Sequence, residues 1–330
     1  MSNLRICAIV VALAIIGGST TQAKDVLKAG HVLTAKSDQG RGAEFLAKRV
    51  KELTNGEIEI QVFPDGQLGK SDPDQLESLI SGAQDIFITG MEWYKAWDDR
   101  FGVLSTPFVF RDRAHLQTFT KSPLFAEMAK GLEDRGIKFL PTKFNWIRQM
   151  DRGVLSRKPV FVPDDLKGLT LRMYQSEMPI RSWQGLGATL QIMPWSEVYT
   201  GLATKTIDAL TTVIGASYHN KHVEHAKYFT NIKEYFQAVA PVISMKTWNK
   251  LSQAHRDALQ RATDEGGAVY EKLSRAELTQ STKDAKEKYG VSFLSVPLKP
   301  WHDKMAPILA GFEKDGILPK GLVAQVKAIK

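Results

Sequence analysis

Residues 25–63 read "DVLKAGHVLTAKSDQGRGAEFLAKRVKELTNGEIEIQVF", and a change of period inside this stretch decides the fold. "DVLKAGHVL" reads as a first strand and "EIEIQVFP" alternates apolar and polar residues as a strand does. Between them "GRGAEFLAKRVKELTNG" repeats its apolar residues at helical spacing and closes on Asn55-Gly56, a natural C-terminal cap. The alternation continues outward. The loop "DGQLGKSDPD" opens the helix "DQLESLISGAQ", and "DIFITG" is a third strand ending at Gly90. Strands and helices joined by short Gly, Pro and Asp connections argue for a mainly parallel sheet with helices on its faces.

Further along, "GIKFLPTKFNW", "LKGLTLRMY" and "IDALTTVIG" read as strands, and "EMPIRSWQGLG" and "PWSEVYTGLATKT" as helices, the second capped by Ser196. After residue 230 the pattern changes. "YFQAVAPVISM" gives a strand, and residues 252–290 form a long, highly charged helical region with Gly266-Gly267 inside it. At about 1.5 Å per residue such a helix outspans one small lobe. "KPWHDKMAPILAGFEK" is a terminal amphipathic helix. These elements describe two α/β lobes joined by crossing segments: residues 24–145 with about 238–277, and residues 146–237 with about 278–330.

The amino terminus points to export. Arg5 precedes the apolar run "ICAIVVALAII", too short to span a bilayer, and "GGSTTQA" supplies small residues for cleavage after Ala23. The sole cysteine, Cys7, lies in that run, so the exported chain uses neither disulfides nor a thiol. The formal charge of +8 is spread along the chain and forms no basic stripe for nucleic acid.

Enzyme signatures are missing: no GxSxG, P-loop, GxGxxG after a strand, or HExxH. His219, His222 and His225 are spaced so that only neighbouring pairs could share an ion, and they read as a solvated polar face, with no metal or other cofactor. Arginine carries more information. Arg148 follows one strand and Arg172 interrupts the apolar alternation of another, where an unpaired guanidinium is costly and well shaped to grip a carboxylate. The competing reading pairs each with an internal acid. Trp93, Tyr94 and Trp97, then Trp146 and Trp195, supply aromatic surface in the same regions.

The blocks "KGLTLRM" and "LGATLQIMPWSEVYTGLATKTIDA", with "GHVLTAKSDQGRGAEF" and "VISMKTWNKLS", resemble the DctP-type solute-binding proteins of TRAP (tripartite ATP-independent periplasmic) transporters over essentially the whole exported chain. The resemblance implies a two-lobed periplasmic-binding-protein fold with hinge strands, a long helix across both lobes, and closure on a small organic acid. It implies that Arg172 grips the ligand's carboxylate, that Arg148 in "NWIRQM" is the second arginine with Asn145 just before it, and that Trp195 lines the pocket. Trp93, Asp72 in the "DGQLGKSD" loop, Gln175 and Thr212 complete the expected binding set. Departures from the family pattern at Gly90, Met173, Tyr174, Gln175, Thr211 and Thr212 remove amide and carboxyl groups suited to a sugar acid, which favours a less hydroxylated, aromatic or branched monocarboxylate. The implied partners are that ligand and TRAP membrane permease subunits, in the periplasm, with the receptor a monomer or a dimer. A receptor feeding a sensor and an exported hydrolase or lyase are the alternatives.

Overall fold

The computed structural model describes residues 24–330, so the expected signal sequence and Cys7 lie outside the described residues. Its strands are β1 (Asp25–Gly30), β2 (Ile58–Phe63), β3 (Ile86–Gly90), β4 (Ile137–Phe139), β5 (Arg152–Ser156), β6 (Thr170–Met173), β7 (Thr189–Ile192), β8 (Ala209–Val213), β9 (Tyr228–Asn231), β10 (Val239–Ser244) and β11 (Ser292–Ser295). Among the described residues they form two sheets, ordered β2-β1-β3-β10-β4 and β11-β9-β5-β8-β6-β7. Within each sheet one strand runs against the rest: β10 pairs antiparallel with β3 and β4, and β5 with β8 and β9. The remaining neighbours are parallel, as the alternation of strands and helices demands.

The two reversed strands are those that carry the chain across between the sheets. Their approach segments pair with each other: Ile147 bridges Ala238, the Arg148 N–H donates to the Gln237 carbonyl at 3.0 Å, and the Val239 N–H to that of Trp146 at 2.9 Å. β3, β5, β8 and β10 are buried along their whole length, which is why β3, β8 and β10 read as apolar runs. β5, β9 and β11 escape a sequence reading because each is four or five residues long and follows no clear alternation. The expected strand through "GIKFLPTKFNW" stops at Phe139, since Pro141 cannot donate to a ladder and Phe144 turns the chain with φ 46°. Ser196 is not a helix cap: Pro194 precedes a 3-10 turn, Trp195–Glu197, that runs into the helix Val198–Ala203.

The long helix is Gln253–Tyr289, 37 residues, started by the Ser252 hydroxyl and ended by Gly290 in the left-handed region. It lies against both lobes. Arg49 reaches Glu265 from the helix Asp38–Leu53, while Tyr218 beyond β8 donates to Asp284 at 2.8 Å. Gly42 and Gly266 let the two helices close on Trp146, which stacks on Tyr270 at 5.1 Å; a Cβ at either glycine would sit 2.8 or 2.7 Å from the indole. The carboxyl-terminal residues divide between the lobes. Trp301 and Met305 join the core beneath β6, but Phe312, Leu318, Leu322 and Val326 pack with Phe101 and Phe119 of the first lobe, unlike the expected run of 278–330 in the second.

Candidate functional site

The carboxyl ends of β3, β6 and β8 meet the start of β5 and the crossing segments at one edge between the two sheets, where open α/β sheets place their ligands. A cavity of about 90 Å³ opens there. Its first-lobe wall includes Asp72, Thr89 and Glu92, its second-lobe wall Arg172, Thr212 and Trp195.

Three buried arginines face this cavity, and their partners set them apart. Arg148 donates to both oxygens of Asp38 at 3.1 Å, to Gln39 Oε1 and Tyr270 Oη at 3.1 Å, and to Gln237 Oε1. Burial would lower its pKa, but Asp38 and Tyr270 outweigh that and hold it above the usual arginine value. Arg152 donates to Glu234 at 3.3 Å and to the Thr211 carbonyl and hydroxyl at 3.1 and 2.9 Å, and it too is raised net of burial. Arg172, 4 % exposed, donates through Nε to the Met193 carbonyl at 3.0 Å. Its guanidinium lies 5.5 Å from the Trp195 ring centre and 5.8 Å from that of Tyr174. Among the described residues no carboxylate comes within ion-pair distance of it, and burial, with Arg152 nearby, pulls its pKa down to about 10.

Two acids on the opposite wall also lack a charged partner. Asp72 caps no cation; its Oδ1 accepts the Thr89 hydroxyl, and burial pushes its carboxyl up to about 7. Glu92 accepts the side-chain amide of Gln237, and burial raises it as well. Glu92 folds back over Gly90, where any Cβ would collide with the carboxylate. The Gln237 amide is oriented by Arg148: its oxygen takes the guanidinium, so its nitrogen faces Glu92.

The expected residues distribute unevenly. Arg172, Trp195, Trp93, Asp72, Thr212 and Arg148 line the cavity together. Arg148, however, is an internal ion-pair partner first. Asn145 is not at the cavity: its amide donates to the Asp264 carbonyl at 3.1 Å on the long helix, over Gly267, which has no side chain to meet it. Gln175 sits in an outer vestibule with Ile192 and Pro194, beyond Arg172 and Tyr174. The histidines do not form a solvated face. The helix ends at His219, Lys221 turns left-handed, and His222 is buried edge-on against Trp195 at 4.8 Å, pulled down to about 3 by burial beside Arg172. Glu92, Arg152 and Gln237 are the residues sequence reasoning missed. A glutamate inside the apolar "FITGMEWY" was the available signal for the first. Among the described residues no cluster of His, Cys, Asp and Glu is arranged to hold a metal ion.

The profile of bacterial extracellular solute-binding proteins, family 7 (DctP), matches residues 29–315, and the chain belongs to that family. It is 30 % identical over 281 residues to the 2,3-diketo-L-gulonate-binding periplasmic protein of Escherichia coli, covering 84 % of this chain and 83 % of that one. Over 298 residues it is 28 % identical to the C4-dicarboxylate-binding periplasmic protein of Vibrio cholerae, covering 88 % and 87 %. A TRAP periplasmic solute-binding protein of Bordetella bronchispeptica, whose ligand density was interpreted as pantoate, superposes with a TM-score of 0.81 at 25 % identity, covering 93 % of this chain and all of that one. A succinate-bound TRAP protein of Sulfurospirillum deleyianum shares the fold with a TM-score of 0.84 at 24 % identity, over 93 % and 100 % of the two chains. These relatives are binding proteins of transporters, not enzymes.

Proposed function

We propose that the chain is an extracytoplasmic TRAP receptor that captures a small organic acid by its carboxylate on Arg172 and delivers it to a membrane permease. One observation carries this reading: of three buried arginines at one cavity, Arg148 and Arg152 hold internal carboxylates and Arg172 holds none. A buried cation without an anion is costly, and a ligand carboxylate removes that cost with two parallel hydrogen bonds. The relatives' acids, diketogulonate, C4-dicarboxylate and pantoate, support the class.

Because Arg172 stands on the second lobe and Asp72, Thr89 and Glu92 on the first, a ligand touching both walls favours the closed arrangement, as differential contact requires. The test is a thermal-shift screen of the protein, cleared of carried-over ligand, against small aliphatic, aromatic and sugar acids. A ligand at a hundred times its dissociation constant adds about 2.7 kcal/mol. Stabilisation confined to carboxylates and lost in Arg172→Met upholds the reading; no stabilisation by any acid, or hits unaffected by that substitution, refutes it.

A further inference from the structure

Arg148, Arg152 and Arg172 line the cavity with Asp72 and Glu92, while Asp38 and Glu234 stand behind it as the partners of Arg148 and Arg152, so the two internal pairs cancel. What remains is Arg172 on one wall with Asp72 and Glu92 on the other. Adding a simple carboxylate satisfies Arg172 but brings a further negative charge into a space that already contains two unpaired acids.

The hydrogen bonds fix how those acids present themselves. Thr89 donates to Asp72, and Gln237, its amide locked by Arg148, donates to Glu92. Each carboxyl thus has one oxygen engaged by a donor and the other left toward the cavity, where a bound cation would favour the ionised, accepting form. The Thr211 and Thr212 hydroxyls are already engaged elsewhere. Thr211 is bound to Arg152, and Thr212 donates to the Val213 carbonyl and accepts from Ser217. Gly90 belongs to this arrangement, since the absence of a side chain there is what lets the Glu92 carboxylate fold toward the cavity.

We infer that Asp72 and Glu92 form a second pole of the site that takes a cationic group, so that the ligand is a zwitterion: a small amino acid or other amine-bearing acid. The inference rests on the carboxylate at Arg172 and adds the other end of the molecule. The ligand's ammonium donates to the free oxygens of Asp72 and Glu92 while its carboxylate accepts from Arg172, and the charges of the occupied site then differ from those of the empty one by nothing. Trp93, Tyr174 and Trp195 leave an apolar flank between the poles, suited to a branched side chain.

The experiment compares matched probes on the unaltered protein by calorimetry at pH 7: valine against isovalerate, leucine against 4-methylpentanoate, and γ-aminobutyrate against butanoate. At least one amine-bearing member should bind about tenfold or more tightly than its partner, the lower end of measured close charge pairs. Glu92→Gln and Asp72→Asn should each weaken the amine-bearing probe more than its plain partner and so shrink that ratio. Plain acids that bind as tightly as their amino counterparts overturn the second pole, and if their binding still depends on Arg172 the carboxylate receptor stands without it. Absence of binding by every probe, with succinate and pantoate also silent, overturns both.

Discussion

Replacing Arg172 with methionine should make the empty protein more stable and useless as a receptor. Burial lowers the guanidinium from 12.5 to about 10, which at 1.36 kcal/mol per pH unit is a cost on the order of 3 kcal/mol carried at neutral pH. The sign follows from the direction: a cation whose pKa falls on folding opposes folding at every pH below the lowered value, and the opposition fades only as pH rises above about 10. Methionine fills similar volume without the charge. Against the gain stand the hydrogen bond to the Met193 carbonyl and the contacts with Trp195 and Tyr174, together about 1–2 kcal/mol. The net is a stabilisation of about 1–2 kcal/mol, or a rise in melting temperature of roughly 1.5–3 °C for a chain of this size. Differential scanning calorimetry on ligand-free protein reads it, with a carboxylate titration alongside. A fall in melting temperature with binding intact would refute the reasoning and make Arg172 a structural ion-pair partner.

Arg148→Met should do the opposite, destabilising by about 3–5 kcal/mol because it strands Asp38 in the interior; urea unfolding measures it. Asp72 keeps a proton in the folded state between its ordinary 3.8 and about 7, so its contribution turns against folding as pH rises through that window and is fully adverse above it. The stability difference between Asp72→Asn and the parent should therefore widen in favour of asparagine from pH 5 to pH 8, by on the order of a few kcal/mol; the double difference removes the same-signed shift of Glu92 and the opposite-signed ones of His31 and His222. Gly266→Ala pushes a methyl to within 2.7 Å of the Trp146 ring and should cost about 1–3 kcal/mol, with a changed tryptophan spectrum; an unaltered protein would mean the helices can part there freely.

The alternating lobes, the long helix and the cavity arginine were legible because each leaves a periodic or chemical anomaly in the sequence. Arg172 breaks an apolar strand, and Gly90 ends one where the chain must turn over a carboxylate. What stayed hidden depends on contacts remote in the chain. Nothing local says that Arg148 will find Asp38 across 110 positions and so leave the gripping role to another arginine. Asn145 sits beside a cavity arginine in sequence, yet successive residues of an extended segment point to opposite sides, and it faces the long helix instead. The histidine run looks solvated when read as one helix; the left-handed Lys221 breaks that helix and turns His222 inward beneath Trp195.

The paired crossing segments impose a last condition. Gln237 belongs to that two-stranded strap by its backbone and to the cavity by its side chain, which relays Arg148 to Glu92. Any rotation of one sheet against the other has to twist the strap that holds Gln237, so it also re-aims the amide that holds Glu92. Affinity and mobility thus share one mechanical element in this molecule. A substitution at Gln237 will change the rate of opening and the grip on the contents together, and kinetic traces of such variants should show association and dissociation rates moving as a linked pair.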